Sequence, residues 1–208
     1  MLASLADSLP GAIAVDGDLA VTHHLADIVS RVRDAIGPID TLINAAARGG
    51  SGSPAHIETI DEITGCFAVN TTAPLVLSQL VFEDLRANGR GNIVNIGSIA
   101  GAVGIGRFPQ ASYAASKGAL HALTRELAAQ WSRHGIRVNC LAPGFFRSEM
   151  TAPLYDHPTS AEWIRRGELL ARPASPEDLV GALLYLVSDS SNTMTGQVMF
   201  VDNGWTTR

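Results

Sequence analysis

Short apolar runs of strand length, at residues 12–15, 39–43, 93–96, 136–141 and 198–201, alternate along the chain with stretches that carry the spacing of amphipathic helices. Leu25, Ile28, Val29, Val32 and Ile36 share one helix face, and Gly37-Pro38 ends that helix. Further helices are expected over 60–67, over 72–87 with Pro74 tolerated in the first turn, and over 112–134 with Gly135 as the cap. Ser175-Pro176-Glu177-Asp178 reads as a capping box with Pro at the first helical position, starting a helix that runs to about 187. Leu2, Leu5, Ala6 and Leu9 have helical spacing up to Pro10-Gly11, and residues 145–174 read as irregular apart from a short helix near 161–166. Strand-helix alternation of this kind builds a parallel sheet with helices on both faces. The expected class is α/β, a Rossmann-like doubly wound sheet, in a single domain over residues 1–208.

Composition narrows the chemistry. A net charge of -5 with scattered basic residues argues against a nucleic-acid groove. No apolar run approaches the roughly 18 uninterrupted residues of a membrane span. The opening segment has no basic residue and no long apolar centre, so it makes a poor signal peptide. A cytoplasmic protein that binds neither nucleic acid nor membrane is expected. Cys66 and Cys140 lie in apolar contexts and read as reduced core residues. The histidines show no metal-ligand spacing, so no metal is expected and each reads as a surface or capping residue. Of the fifteen cationic side chains, fourteen are Arg. The single Lys, Lys117, stands out for a task that suits a compact ammonium with an adjustable pKa.

Lys117 follows Tyr113 by four residues, so the two share a helix face. A free phenol, with a pKa of about 10, is a poor proton exchanger near neutrality. An ammonium at roughly 4 Å contributes about 4 kcal/mol at an effective dielectric of ~20, enough to lower the phenol by two to three units. The pair then serves as a general acid and base. Spacing alone fits an ordinary surface pair equally well, and the surroundings decide. Upstream, the 93–96 strand delivers Ser98 to the carboxyl edge of the sheet, where ligands of α/β proteins bind. A hydroxyl there can hold a carbonyl oxygen as it changes charge. Pro143-Gly144 stands at the carboxyl edge of the next strand, and Asn70 precedes the 72–87 helix.

Together these residues resemble a known family. Asn70, Ser98, Tyr113 and Lys117 are similar to the catalytic tetrad of the short-chain dehydrogenases/reductases. Pro143-Gly144-Phe145-Phe146-Arg147-Ser148-Glu149-Met150 resembles the family segment that holds the nicotinamide carboxamide, which implies cofactor contacts at Pro143, Gly144, Phe146 and Ser148. Asp18-Leu19 matches the acidic pair at the adenine, and Leu42-Ile43-Asn44-Ala45-Ala46-Ala47 resembles the element beside the cofactor, implying contacts at Asn44, Ala45 and Ala46. Thr195 to Gly204 resembles the closing strand, and residues 150–166 look most like the sugar-acid group typified by gluconate 5-dehydrogenase. The resemblance implies hydride transfer between NAD or NADP and a small-molecule alcohol or ketone substrate, of sugar-acid or 3-oxoacyl type, in a homodimer or homotetramer. Ser98 would hold the substrate oxygen and Tyr113 would pass it a proton. Lys117 would lower the Tyr113 pKa and bind the nicotinamide ribose, and Asn70 would hold a water linking Lys117 to solvent.

The chain also departs from that pattern. The family's first strand, its T-G-x-x-x-G-x-G turn and its second strand find no counterpart, so the expected fold lacks a first βαβ unit of roughly 30 residues or more. Those glycines let the backbone approach the pyrophosphate at a helix N-terminus. Gly101 to Gly106 mimics the turn but lies between Ser98 and Tyr113 and reads as active-site loop. The 12–15 strand would lack a sheet neighbour, and the 39–43 strand would be an unpaired edge. Ala45 and Ala47 replace the family's Asn and Gly, while Asn203 replaces a Gly at a position where Asn tolerates positive φ. An alternative is therefore a catalytically inactive remnant that acts as an interaction or assembly protein through the 72–87 and 112–134 helices. With no G-x-S-x-G elbow, a hydrolase role for Ser98 has little support.

Overall fold

The computed structural model describes residue 6 and residues 8–207. The helix expected on Leu2, Leu5, Ala6 and Leu9 falls for the most part outside the described residues. The elements run in the order α1 (Leu25–Ile36), β1 (Thr41–Asn44), α2 (Ile60–Phe67), α3 (Ala73–Asn88), β2 (Asn92–Ile96), α4 (Ala111–Trp131) and β3 (Arg137–Pro143). Then follow α5 (Ala152–Asp156), α6 (Pro158–Gly167), α7 (Glu177–Val187) and β4 (Val198–Val201). The strands form one sheet in the order β1-β2-β3-β4, and every neighbouring pair is parallel.

Alternate residues along β2 feed two cores, as a doubly wound sheet requires. Ile93 packs with Val29 of α1, Val81 and Leu85 of α3, and Leu127 and Ala128 of α4. Its neighbour Val94 joins Leu141 and Leu186 of α7. Polar side chains at the strand starts hold the far end of α7. Asn92 donates to the Leu186 carbonyl at 2.8 Å. The Arg137 guanidinium reaches the Leu186 carbonyl and the Ser191 hydroxyl. At the end of the α4 run, Gly135 takes φ 74°, the left-handed cap expected from the sequence.

Three expectations need correction. Residues 12–15 form no strand; they run exposed, with Ile13 44% accessible, because no sheet neighbour stands beside them. The helices expected at 60–67 and from 72 are one continuous run, joined by a π turn over Ala68–Thr72. Pro74 has no N–H to offer the Asn70 carbonyl four residues earlier, which accounts for the widened turn there. By length and composition the Ile60–Asn88 run is long and apolar enough to cross a membrane; its Val81 and Leu85 are core residues of this sheet. Third, residues 145–174 carry α5 as well as the expected short helix. The Ser175 box closes on one side, where Asp178 accepts the Ser175 N–H at 2.9 Å and Pro176 stands at the cap. On the unpaired edge, β1 leaves Ile43 41% exposed, as anticipated.

Candidate active site

The β2 strand ends at Ile96, and Ser98 opens a single 3-10 turn over Ile99–Gly101, its Oγ accepting the Ala100 N–H at 3.1 Å. Opposite, the first turn of α4 brings Tyr113 and, one turn on, Lys117. The start of α4 is anchored from outside: the Glu58 carboxylate accepts both the backbone N–H of Ser112, at 3.3 Å, and the Ser112 hydroxyl. A carboxylate at that end also complements the helix dipole. Glu58 carried no signal in the sequence, since its partner lies 54 residues away.

Ser98, Tyr113 and Gly144 line one cavity of about 240 Å³ together with Phe108, Phe145, Met150 and Leu154. Ile105, in the Gly101 to Gly106 run, lines it too. Lys117 is 1% exposed and donates to the Ile96 carbonyl at 2.7 Å. Its ammonium lies over the Tyr113 ring, 5.8 Å from the centroid. Burial lowers the Lys117 pKa to about 8. The expected lowering of the Tyr113 phenol is reversed: burial raises it, against the pull of the Ser98 hydroxyl.

Asn70 is fully buried in the π turn. Its Oδ1 accepts the Arg48 N–H at 2.8 Å, and its Nδ2 donates to the Arg48 carbonyl at 2.9 Å and to the Ser116 hydroxyl at 2.9 Å. The side chain thus clamps the loop after β1 to α4.

Among the residues expected at a cofactor, Leu19, Asn44, Ala45 and Ala46 line a second concavity of about 170 Å³ with Val69 and Pro74. Asp18 does not line it, and its Oδ1 accepts the Ala20 N–H at 2.9 Å. Asn44 is held by a buried chain, donating to Asn95 at 2.8 Å, which donates to Thr124 of α4 at 2.9 Å. Pro143 ends β3, and Gly144 donates to the Val201 carbonyl at 2.9 Å. Phe146 and Ser148 are tied into one turn by Thr151, whose hydroxyl accepts the Ser148 N–H at 2.9 Å and donates to the Phe146 carbonyl. Asn203 has φ 51°, as its position required.

These residues fit the nicotinamide end of a dinucleotide. An ammonium has three donors; Lys117 has one of them on Ile96. Ala45 and Ala46 keep the neighbouring concavity open. Among the described residues no glycine-rich strand-to-helix turn stands ready for a pyrophosphate.

The sequence reading missed His121. It is 4% exposed, not a surface residue, and it continues the Tyr113-Lys117 face by one more turn. Its ring bonds to the Gly101 backbone, and Nε2 has no partner. A Cβ on Gly97 would stand 2.6 Å from Nε2, and one on Gly101 would stand 2.7 Å from Cε1. Burial, with Arg125 and Lys117 nearby, depresses its pKa to about 4, so the ring is neutral. The repeat of four from 113 to 117 to 121 was the available signal.

A family model described as enoyl-(acyl carrier protein) reductase matches residues 1–206. The chain is 34% identical to 5-keto-D-gluconate 5-reductase of Escherichia coli K12, over 93% of this chain and 75% of that protein. Among solved structures it is similar to a gluconate 5-dehydrogenase from Burkholderia cenocepacia in complex with NADP and tartrate, with TM-score 0.89 and 31% identity, covering 99% of this chain and 81% of that one. It is also similar to a 4-hydroxyisoleucine dehydrogenase complexed with NADH, with TM-score 0.86 and 30% identity, covering 92% and 78%. A match that runs the length of the chain, around a cavity where Ser98 and Tyr113 meet, makes this protein a member of the short-chain dehydrogenase/reductase family of oxidoreductases.

Proposed function

We propose that the protein moves a hydride between a nicotinamide cofactor, NAD or NADP, and a small alcohol or ketone. The observation that carries this reading is the meeting of Ser98, Tyr113 and Gly144 around one cavity, with the ammonium of Lys117 over the Tyr113 ring. Ser98 donates a hydrogen bond to the substrate oxygen. Tyr113 passes its phenol proton to that oxygen. Lys117 steadies the phenolate left behind and offers its remaining donors to the cofactor's ribose. The backbone carbonyl of Asn70 holds the water through which the proton is replaced. Leu19, Asn44, Ala45, Ala46, Pro143, Gly144, Phe146 and Ser148 would flank the cofactor, with Asp18 near its adenine end. A nicotinamide bound there supplies or accepts the hydride.

Exposed Val180, Leu184 and Tyr185 on α7, and exposed Phe200 on edge strand β4, support a homodimer or homotetramer. The free, buried Cys66 and Cys140 support residence in the reducing cytoplasm. The test is titration of the protein with NADH and NADPH by nicotinamide fluorescence and calorimetry. Micromolar, saturable binding that is lost in Lys117→Ala is expected. No binding by the folded chain would overturn the reading. It would favour the second one, an inactive assembly protein.

A further inference from the structure

Resting on the oxidoreductase reading, we propose that the substrate is a neutral, largely apolar ketone or secondary alcohol, and not a sugar acid. Among the described residues, no carboxylate, ammonium, guanidinium or imidazole lines the cavity that holds Ser98 and Tyr113, and the polar side chains there besides these two are Gln110 and Thr151. The Thr151 hydroxyl is already engaged with the Ser148 N–H and the Phe146 carbonyl.

The Lys117 ammonium, bonded to the Ile96 carbonyl, does not line the cavity. Arg147 pairs with Asp156 at 2.6 Å. The Arg48 guanidinium lies against Gly65. Arg107 and Arg166 line a separate concavity with Glu162 and Trp163. A carboxylate seated in the Ser98 cavity would therefore give up part of its water and gain no charge partner, which is unfavourable. A polyol would leave several hydroxyls without partners, and a buried unpaired polar group is costly.

The walls favour the opposite kind of ligand. Phe108, Phe145, Trp163 and Trp205 form one aromatic cluster, with Phe145 4.8 Å from Trp205 and Phe108 5.4 Å from Trp163 between ring centroids. Two members of it, Phe108 and Phe145, face the cavity beside Met150 and Leu154. At about 240 Å³ the space falls below the roughly 300–1,000 Å³ of drug-sized sites, so the ligand is small. Selectivity then comes from burial of apolar surface, with Ser98 and Tyr113 as the one polar contact point for the reacting oxygen.

The test titrates acetophenone, cyclohexanone, menthone and 5-keto-D-gluconate into the protein. Binding is followed by the fluorescence of Trp163 and Trp205 and by ligand-observed NMR, with and without added NADH or NADPH. At least one neutral ketone is expected to bind saturably and roughly 100-fold or more tighter than the keto acid, since each tenfold is about 1.4 kcal/mol. Leu154→Arg is expected to narrow or invert that preference. Equal or tighter binding of 5-keto-D-gluconate, or no saturable binding by any neutral ketone, overturns the proposal. Reduction of 5-keto-D-gluconate alone overturns it while leaving the oxidoreductase reading intact. Binding of a neutral ketone without reduction of either class supports the pocket assignment and overturns the oxidoreductase reading.

Discussion

Replacing Lys117 by methionine is expected to change how stability depends on pH. Burial lowers the amine from its usual 10.5 to about 8. In the unfolded chain it keeps the usual value, so between these limits the unfolded state holds more protons and stability rises with pH. The gap of 2.5 units (10.5 minus 8), at about 1.4 kcal/mol per unit, makes the full rise roughly 3 kcal/mol. Two neighbours oppose it. Burial raises the Cys140 thiol from 9 to about 12, and Tyr113 is also raised. Above pH 9 the folded chain thus keeps protons that the unfolded chain loses, and stability falls. The native protein should gain stability from about pH 8 to 9, stay nearly level to about pH 10 as the Lys117 and Cys140 slopes cancel, and lose stability above that, where the raised Tyr113 and Tyr155 also keep protons that the unfolded chain releases. Lys117→Met should be level up to pH 9 and lose stability beyond it. Urea unfolding followed by circular dichroism, in half-unit steps across this range, reads both profiles. Parallel profiles for the two proteins would refute a charged, desolvated Lys117.

Gly97→Ala places a Cβ 2.5 Å from the Cys140 sulfur and 2.6 Å from His121 Nε2, so it should cost about 1–3 kcal/mol in urea unfolding, and His121→Ala in the same chain should recover part of that loss. Asn70→Ala leaves the Arg48 amide without its partner and its carbonyl with only the Cys66 thiol; it should destabilise by about 1–3 kcal/mol and speed hydrogen exchange at Arg48. Unchanged exchange there would contradict the clamp. Leu184→Arg charges the exposed face of α7, and light scattering should then report a smaller assembly than for the native protein.

Where a segment's structure depends on its own pattern, the sequence was a reliable guide. The α2 helix and the β4 strand occur with the bounds expected from the sequence, and α1, β2 and β3 lie within a residue or two of them. The same holds for Gly135 and Asn203, whose backbone angles follow from local chemistry. Failures came where a distant partner decides. Residues 12–15 have strand composition, but a strand exists only with a neighbour to receive its hydrogen bonds. The π turn follows from the pairing of Pro74 with Asn70, a missing donor that helical periodicity does not register. Ser98, Tyr113 and Lys117 were legible as a group because two of them share a helix face and the third ends a strand. That Lys117 bonds to Ile96, and that His121 is buried beside Gly97 and Gly101, depends on contacts across the sheet-helix interface. The uncharged character of the cavity was also hidden, since its lining comes from several separate loops and helices.

With Lys117 the sole lysine and 1% exposed, the folded surface presents no side-chain amine. Acylating reagents, amine cross-linkers and lysine-directed enzymes therefore find, besides the chain's own amino terminus, a target only when α4 separates from the sheet. Mass spectrometry of the labelled protein would count opening events directly. The protein carries, in its one amine, a built-in reporter of its own unfolding.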